Sequence, residues 1–253
     1  MNRRPALSSL LTPFWIFAIG LVFAGSASAG PIECLPETCG WTISVGGNEV
    51  MSGDYDIDES GNVSLGDRVI SMTTSDFSVG IDNIGGHVDP EIIFGLGATN
   101  TSGAPLTFAF AFSLPLGGFS GLIDTFAEIG QTLTAPSGND VTLFPTLGTG
   151  TLVDSQDIRF SPFSSVDKGV DVGDSLLATA GSTELDLDQA TSQILLSGAG
   201  YDVMSVVVAF GLSDDGAVGL SGRVVQTVVP EPGTALLLGL GLVGLATARR
   251  RAD

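Results

Sequence analysis

In the stretch DYDIDESGN, residues 54–62, an acid stands at every second position: Asp54, Asp56 and Asp58, followed by Gly61 and Asn62. Carboxylates spaced this way ahead of a glycine turn suit calcium, which takes six to eight hard oxygen ligands. The segment departs from the helix–loop–helix calcium template twice. Glu59 stands where the sixth position needs glycine, and Leu65 where the twelfth needs glutamate. The same residues also read as a β-hairpin, strands 55–58 and 63–65 around a turn at 59–62, with the aspartates facing water. Both readings stay open: a solvated hairpin, or a hairpin that also binds calcium through Asp54, Asp56 and Asp58.

The remaining candidates for chemistry are few. His87, the one histidine, lies in GGHVDP (85–90) beside Asp89 and reads as a loop residue in a turn, not a base. No G-x-S-x-G nucleophile elbow occurs. A glycosidase needs two carboxylates about 5–9.5 Å apart, and among so many acids the sequence nominates no pair. No catalytic residue is assigned, and an enzyme is not expected. Cys34 and Cys39, the only cysteines, are predicted to pair as a disulfide in an oxidising compartment. So small a ring contributes on the order of 2 kcal/mol in the chain-entropy model. GLGLVG (239–244) matches the dinucleotide pattern, but no strand precedes it, and glycines in a membrane helix explain it better. Trp41, Tyr55 and Tyr201 are the only Trp or Tyr between residues 30 and 229, which is sparse for stacking on sugars.

The elements that must position these residues lie between two distinctive ends. At the first, Arg3 and Arg4 precede an apolar run at 14–25 and then Ala27-Ser28-Ala29, the pattern of a signal peptide (1–29) cleaved before Gly30. Export by the Sec machinery and signal peptidase follows. At the other end, Pro230-Glu231-Pro232 precedes an apolar run at 235–248 and then Arg249, Arg250 and Arg251. As a helix that run spans only about 21 Å at 1.5 Å per residue, short of a bilayer core of roughly 30 Å. Its arginines should stay cytoplasmic, placing the preceding chain outside.

This tail, 230–253, resembles the PEP-CTERM sorting signal of exported proteins in Gram-negative bacteria that make exopolysaccharide. The resemblance implies that an exosortase reads Pro230, Glu231 and Pro232. It also implies that the short transmembrane helix anchors the chain transiently in the inner membrane, with Arg249, Arg250 and Arg251 as a stop-transfer clamp. It further implies a cell-surface or matrix protein associated with extracellular polysaccharide and biofilm.

Between the two ends, residues 30–229 carry 26 acids against four bases, Arg68, Arg159, Lys168 and Arg223, for a net charge of −22. Nucleic acid and anionic lipid are poor partners for such a surface. Period-2 alternation dominates: Leu106, Phe108, Phe110, Phe112 and Leu114 share one face, as do Ile92, Phe94, Leu96 and Ala98. Residues 100–104 read as a hairpin connection between those two runs. Further strands are expected at 41–45, 68–74, 119–129, 141–147, 158–160, 176–180, 193–197, 206–212 and 218–228. Only 124–134 could pass for a helical turn. Residues 182–189, acids alternating with Leu185 and Leu187, read as a charged edge strand. Many short strands with one apolar face each predict an all-β, two-sheet antiparallel sandwich, Ig-like or jelly-roll-like, flanked by an N-terminal signal helix and a C-terminal membrane helix. The function expected is that of a non-enzymatic, exosortase-sorted surface or matrix protein. The alternative is a calcium-dependent carbohydrate-binding module, with a secreted polysaccharide hydrolase third.

Overall fold

A computed structural model describes residues 39–66, 68–88, 90–160, 163–229 and 238–242. The chain divides into two compact units, Met1–Gly30 and Pro31–Asp253. The first, with the expected signal helix, lies outside the described residues.

Between residues 39 and 229 the described strands of the second unit are all paired antiparallel, as the alternating apolar residues require. Its strands are β1 (Gly40–Val45), β2 (Asn48–Asp54), β3 (Asp56–Ile57), β4 (Asn62–Ser64), β5 (Ile70–Thr73), β6 (Phe77–His87), β7 (Glu91–Asn100), β8 (Leu106–Thr134), β9 (Val141–Pro145), β10 (Val153–Phe160), β11 (Phe163–Asp167), β12 (Leu176–Ala178), β13 (Thr183–Leu212) and β14 (Ala217–Val228). One hydrogen-bonded network connects them all, yet it makes two layers, because β8 and β13 are long enough to belong to both.

In one layer the order is β2, β1, the first half of β8, the second half of β13, β10, β11. In the other it is the first half of β13, the second half of β8, β14, β7, β6, β4, β3. The pair turns the corner where its register shifts, between Leu196, Tyr201 and Val203 of β13. Across from Leu196, Gly121 takes φ +104, a conformation that side chains disfavour and a bent strand needs here. This is why 106–114 and 119–129, expected as two strands, form one.

The layers face each other through one apolar core. Phe94 of β7 stacks on Phe112 of β8 (centroids 5.6 Å apart), and Phe77 of β6 meets Phe108 of β8 edge-on at 6.4 Å. These contacts correct the expected hairpin: β7 pairs with β6 and β14, and residues 100–105 cross between layers as an arch. Asn100 holds the arch from a buried position. Its Nδ2 donates to the carbonyls of Ala104 (2.8 Å) and Leu212 (2.9 Å), and its Oδ1 accepts from the amide of Ser102. Residues 213–216 turn and likewise cross between layers, since β14 pairs with β8 and β7.

Three further expectations change. Residues 124–134 are strand, part of β8. His87 ends β6, opposite Glu91, and is not in a loop. Helix occurs at 238–242 within the expected membrane segment, and no described helix is long and apolar enough to cross a membrane. The edge expectation at 182–189 finds its counterpart in the start of β13, which pairs with β8 on one side and exposes Leu185 and Leu187.

Candidate functional sites

The calcium reading named Asp54, Asp56 and Asp58, which the structure places at the end of β2, in β3 and in the turn after it. Asp54 ends β2, opposite Gly40. Asp56 pairs with Arg68 at 2.8 Å. Asp58 caps its own turn, accepting from the amides of Ser60 (2.8 Å) and Asn62 (2.9 Å) and from Asn62 Nδ2 (2.7 Å). Those bonds from Asn62 hold its carboxyl below the usual range. The hairpin is formed by β3 and β4, with Asp56 bound to Arg68 beside it and Asp58 holding its turn.

A different trio does converge. Among the described residues, Asp154, Asp167 and Asp171 bring carboxylate oxygens within 4.8 Å of one another. Local folding explains how. β10 and β11 form a hairpin, and the chain then returns along β10, with Lys168 N bonding to Ser155 O and Val153 bridging Val172. Partial burial, with the neighbouring charges of Asp167 and Asp154, pushes Asp171 up to about 6. Burial also raises Asp154, and the charge of Asp167 adds to it. Three such oxygens are part of the set calcium requires. Sequence reading missed the trio because its members lie 13 and 4 residues apart on a hairpin that was not foreseen.

One step along the same strand the chemistry inverts. Asp157 points inward, and its Oδ1 lies 2.9 Å from Lys168 Nζ, both side chains having no exposed surface. Lys168 also reaches Ser155 Oγ at 3.2 Å. Gln226, from β14 in the opposite layer, donates from Nε2 to both oxygens of Asp157, at 2.8 and 3.0 Å. Desolvation brings Lys168 down to about 8, against the opposing pull of Asp157.

On the outer face of the second layer, β13, β8 and β14 form an open groove of about 420 Å³, lined by Asp124, Phe126, Thr191, Gln193, Val225 and Thr227 among others. Gln193 Nε2 donates to Asp124 Oδ1 at 2.6 Å. The guanidinium of Arg223 lies 5.1 Å over the ring of Phe126 while pairing with Glu128 at 3.1 Å. One half-buried ring bordered by an amide, a carboxylate and hydroxyls offers both an apolar platform and directional polar groups.

The groove adjoins the place where the chain leaves the fold. β14 ends at Val228, and the amide of Val229 donates to Leu122 O at 2.8 Å. Pro230, Glu231, Pro232, Arg249, Arg250 and Arg251 lie outside the described residues, as does Cys34. Its expected partner Cys39 is fully buried and is not a free thiol.

A family model described as the PEP-CTERM protein-sorting motif matches residues 228–251. The chain carries this sorting signal. It is therefore an exported protein with a C-terminal PEP-CTERM sorting signal. No curated protein matches it in sequence. Among solved structures, a family 16 carbohydrate-binding module is 11% identical (TM-score 0.24), covering 51% of this chain and 80% of that one. TmCBM61, solved with β-1,4-galactotriose, is 8% identical (TM-score 0.24), covering 60% and 88%. A family 11 carbohydrate-binding module from Clostridium thermocellum, solved with a mixed-linked tetrasaccharide, is 11% identical (TM-score 0.23), covering 76% and 99%. Likenesses this distant carry no argument about what the present chain binds.

Proposed function

We propose that this PEP-CTERM protein is a non-enzymatic surface or matrix protein whose acidic β-sandwich associates with extracellular polysaccharide of a biofilm after exosortase processing. One observation carries the sorting half of this reading: among the described residues, the last strand ends at Val228, where the matched signal begins, and the amide of Val229 still bonds to the sheet. Cutting near Pro230-Glu231-Pro232 leaves the pairing of β14 intact, so the domain survives removal of its tail. Before that cut, the apolar run at 235–248 holds the chain transiently in the inner membrane, a short tether of about 21 Å at helical rise. The Cys34–Cys39 disulfide clips the start of the mature chain.

The polysaccharide half rests on the outer groove. Sugars present C–H faces and hydroxyl edges, and Phe126 with Asp124, Gln193, Thr191 and Thr227 offers a ring and hydrogen-bonding groups to match. The second reading makes the association calcium-dependent, favoured by the convergence of Asp154, Asp167 and Asp171. Intact and C-terminal peptide mass spectrometry of protein from wild-type and exosortase-deficient cells tests the sorting. Co-sedimentation with the host's own polysaccharide, with and without a chelator, tests the binding. Identical C-termini in both strains would end the first reading, and no retention by the polymer would end the second half.

A further inference from the structure

Lys168 is the only lysine in the chain, and it is wholly buried. A lone lysine in an otherwise arginine-dependent set of cations is normally a surface residue, because an ammonium is costly to dehydrate. Here it is placed against a carboxylate that is equally buried, with Nζ 2.9 Å from Oδ1 and so beside the carboxyl carbon that oxygen belongs to. A buried ion pair is a poor way to stabilise a sandwich, since the dehydration of both charges offsets their attraction. The two charges can be eliminated together, however, if the pair condenses.

We propose that Lys168 and Asp157 are joined in the folded protein by an intramolecular isopeptide bond between lysine Nζ and aspartate Cγ. The bookkeeping of the step is closed. The ion pair first exchanges a proton, giving a neutral amine and a carboxylic acid. The amine lone pair attacks Cγ, the N–C bond forms, and a C–O bond breaks. The departing oxygen leaves as water, taking both protons it needs from the former ammonium. No oxidant, reductant or activating cofactor enters.

The surroundings serve each part of this step. Burial favours the neutral form of the lysine, which is the nucleophile, and its side chain is brought down to about 8. Gln226 donates to both oxygens of Asp157, so an N–H is in place for the oxyanion that develops during attack. Ser155 Oγ, 3.2 Å from Nζ, is an acceptor for the N–H of the product. The fold fixes both partners on one hairpin and its return, which raises their effective concentration on the order of 10⁵ M or more for a well-oriented pair. The product is a neutral amide in a dry site, closing the ring from residue 157 to 168 across β10 and β11.

The test is made on the wild-type protein, so no variant has to fold. Intact mass of the reduced, denatured chain is expected to fall short of its sequence mass by one water. Trypsin is expected to spare the bond after Lys168 while cutting after Arg68, Arg159 and Arg223, yielding residues 69–159 and 160–223 as one branched species. Lys168→Arg is expected to restore the full mass. Full sequence mass with normal cleavage after Lys168 overturns the proposal. So does a dehydrated chain whose Lys168 is still cleaved, because the water was then lost elsewhere.

Discussion

Phe94 and Phe112 lie with ring centroids 5.6 Å apart and planes within 15° of parallel, each from a different layer and each essentially without exposure. The stack closes the space between the sheets at the middle of the core, beside Phe108, Phe110 and Phe210. Phe112→Ala removes a ring that the surrounding sheets cannot collapse onto, and is expected to cost about 3–5 kcal/mol. Phe112→Leu keeps most of the volume and should cost clearly less. Urea unfolding of the two variants checks the order, and equal losses would mean the interface relaxes around the gap.

Asp58 makes three hydrogen bonds within its own turn and is fully exposed to solvent otherwise. Its folded carboxyl titrates below the unfolded value, so its contribution to stability is complete above about pH 4 and is lost as pH falls through the lower folded value. Asp58→Ala should therefore lower the melting temperature at pH 7 by much less than Phe112→Ala does. The difference from wild type should vanish in strong acid. A thermal melt series in pH measures both.

What the sequence disclosed was what depends on neighbours along the chain. Alternation through Leu106 to Leu114 identified a strand face, and residues 100–104 marked a connection, because both are local properties. Which strand lies beside which is not local. Phe94 and Phe112 have the periodicity of hairpin partners and equally that of facing layers, and the arch locked by Asn100 decides for the second. The same gap hid the chemistry. Asp54, Asp56 and Asp58 advertise themselves by adjacency, but Asp56 turns to Arg68 and Asp58 to its own turn. Asp154, Asp167 and Asp171 meet only because β10 and β11 fold back. The one hint left in the sequence was the singularity of Lys168.

Asp171 behaves in the opposite sense to Asp58. Its folded value, about 6, exceeds the unfolded one, so the native state holds this proton more tightly. Stability at this site is expected to fall as pH rises from about 4 to 6, and the cost persists at neutral pH. Asp171→Asn should flatten that part of the profile and raise the melting temperature at pH 7. If calcium enters the trio, it should stabilise wild type at pH 7 and leave Asp171→Asn less affected. Melts across pH 4–7, with calcium or chelator, read both effects.

The boundary at Val229 separates sorting from folding, and a pair of measurements can show it. Among the described residues, Val229 N to Leu122 O is the last sheet hydrogen bond, and Pro230 has no amide hydrogen to donate to the ladder. Glu231→Ala, or alanine at both Pro230 and Pro232, removes the element proposed for exosortase recognition and leaves every residue of β14 unchanged. Such variants are expected to keep residues 230–253 in the intact mass of protein recovered from the membrane fraction. Their urea midpoints should match that of the unprocessed wild-type chain. Processing at the wild-type position in both variants would move the recognition element elsewhere in the tail. A lowered midpoint would show that the residues after Val229 brace the fold.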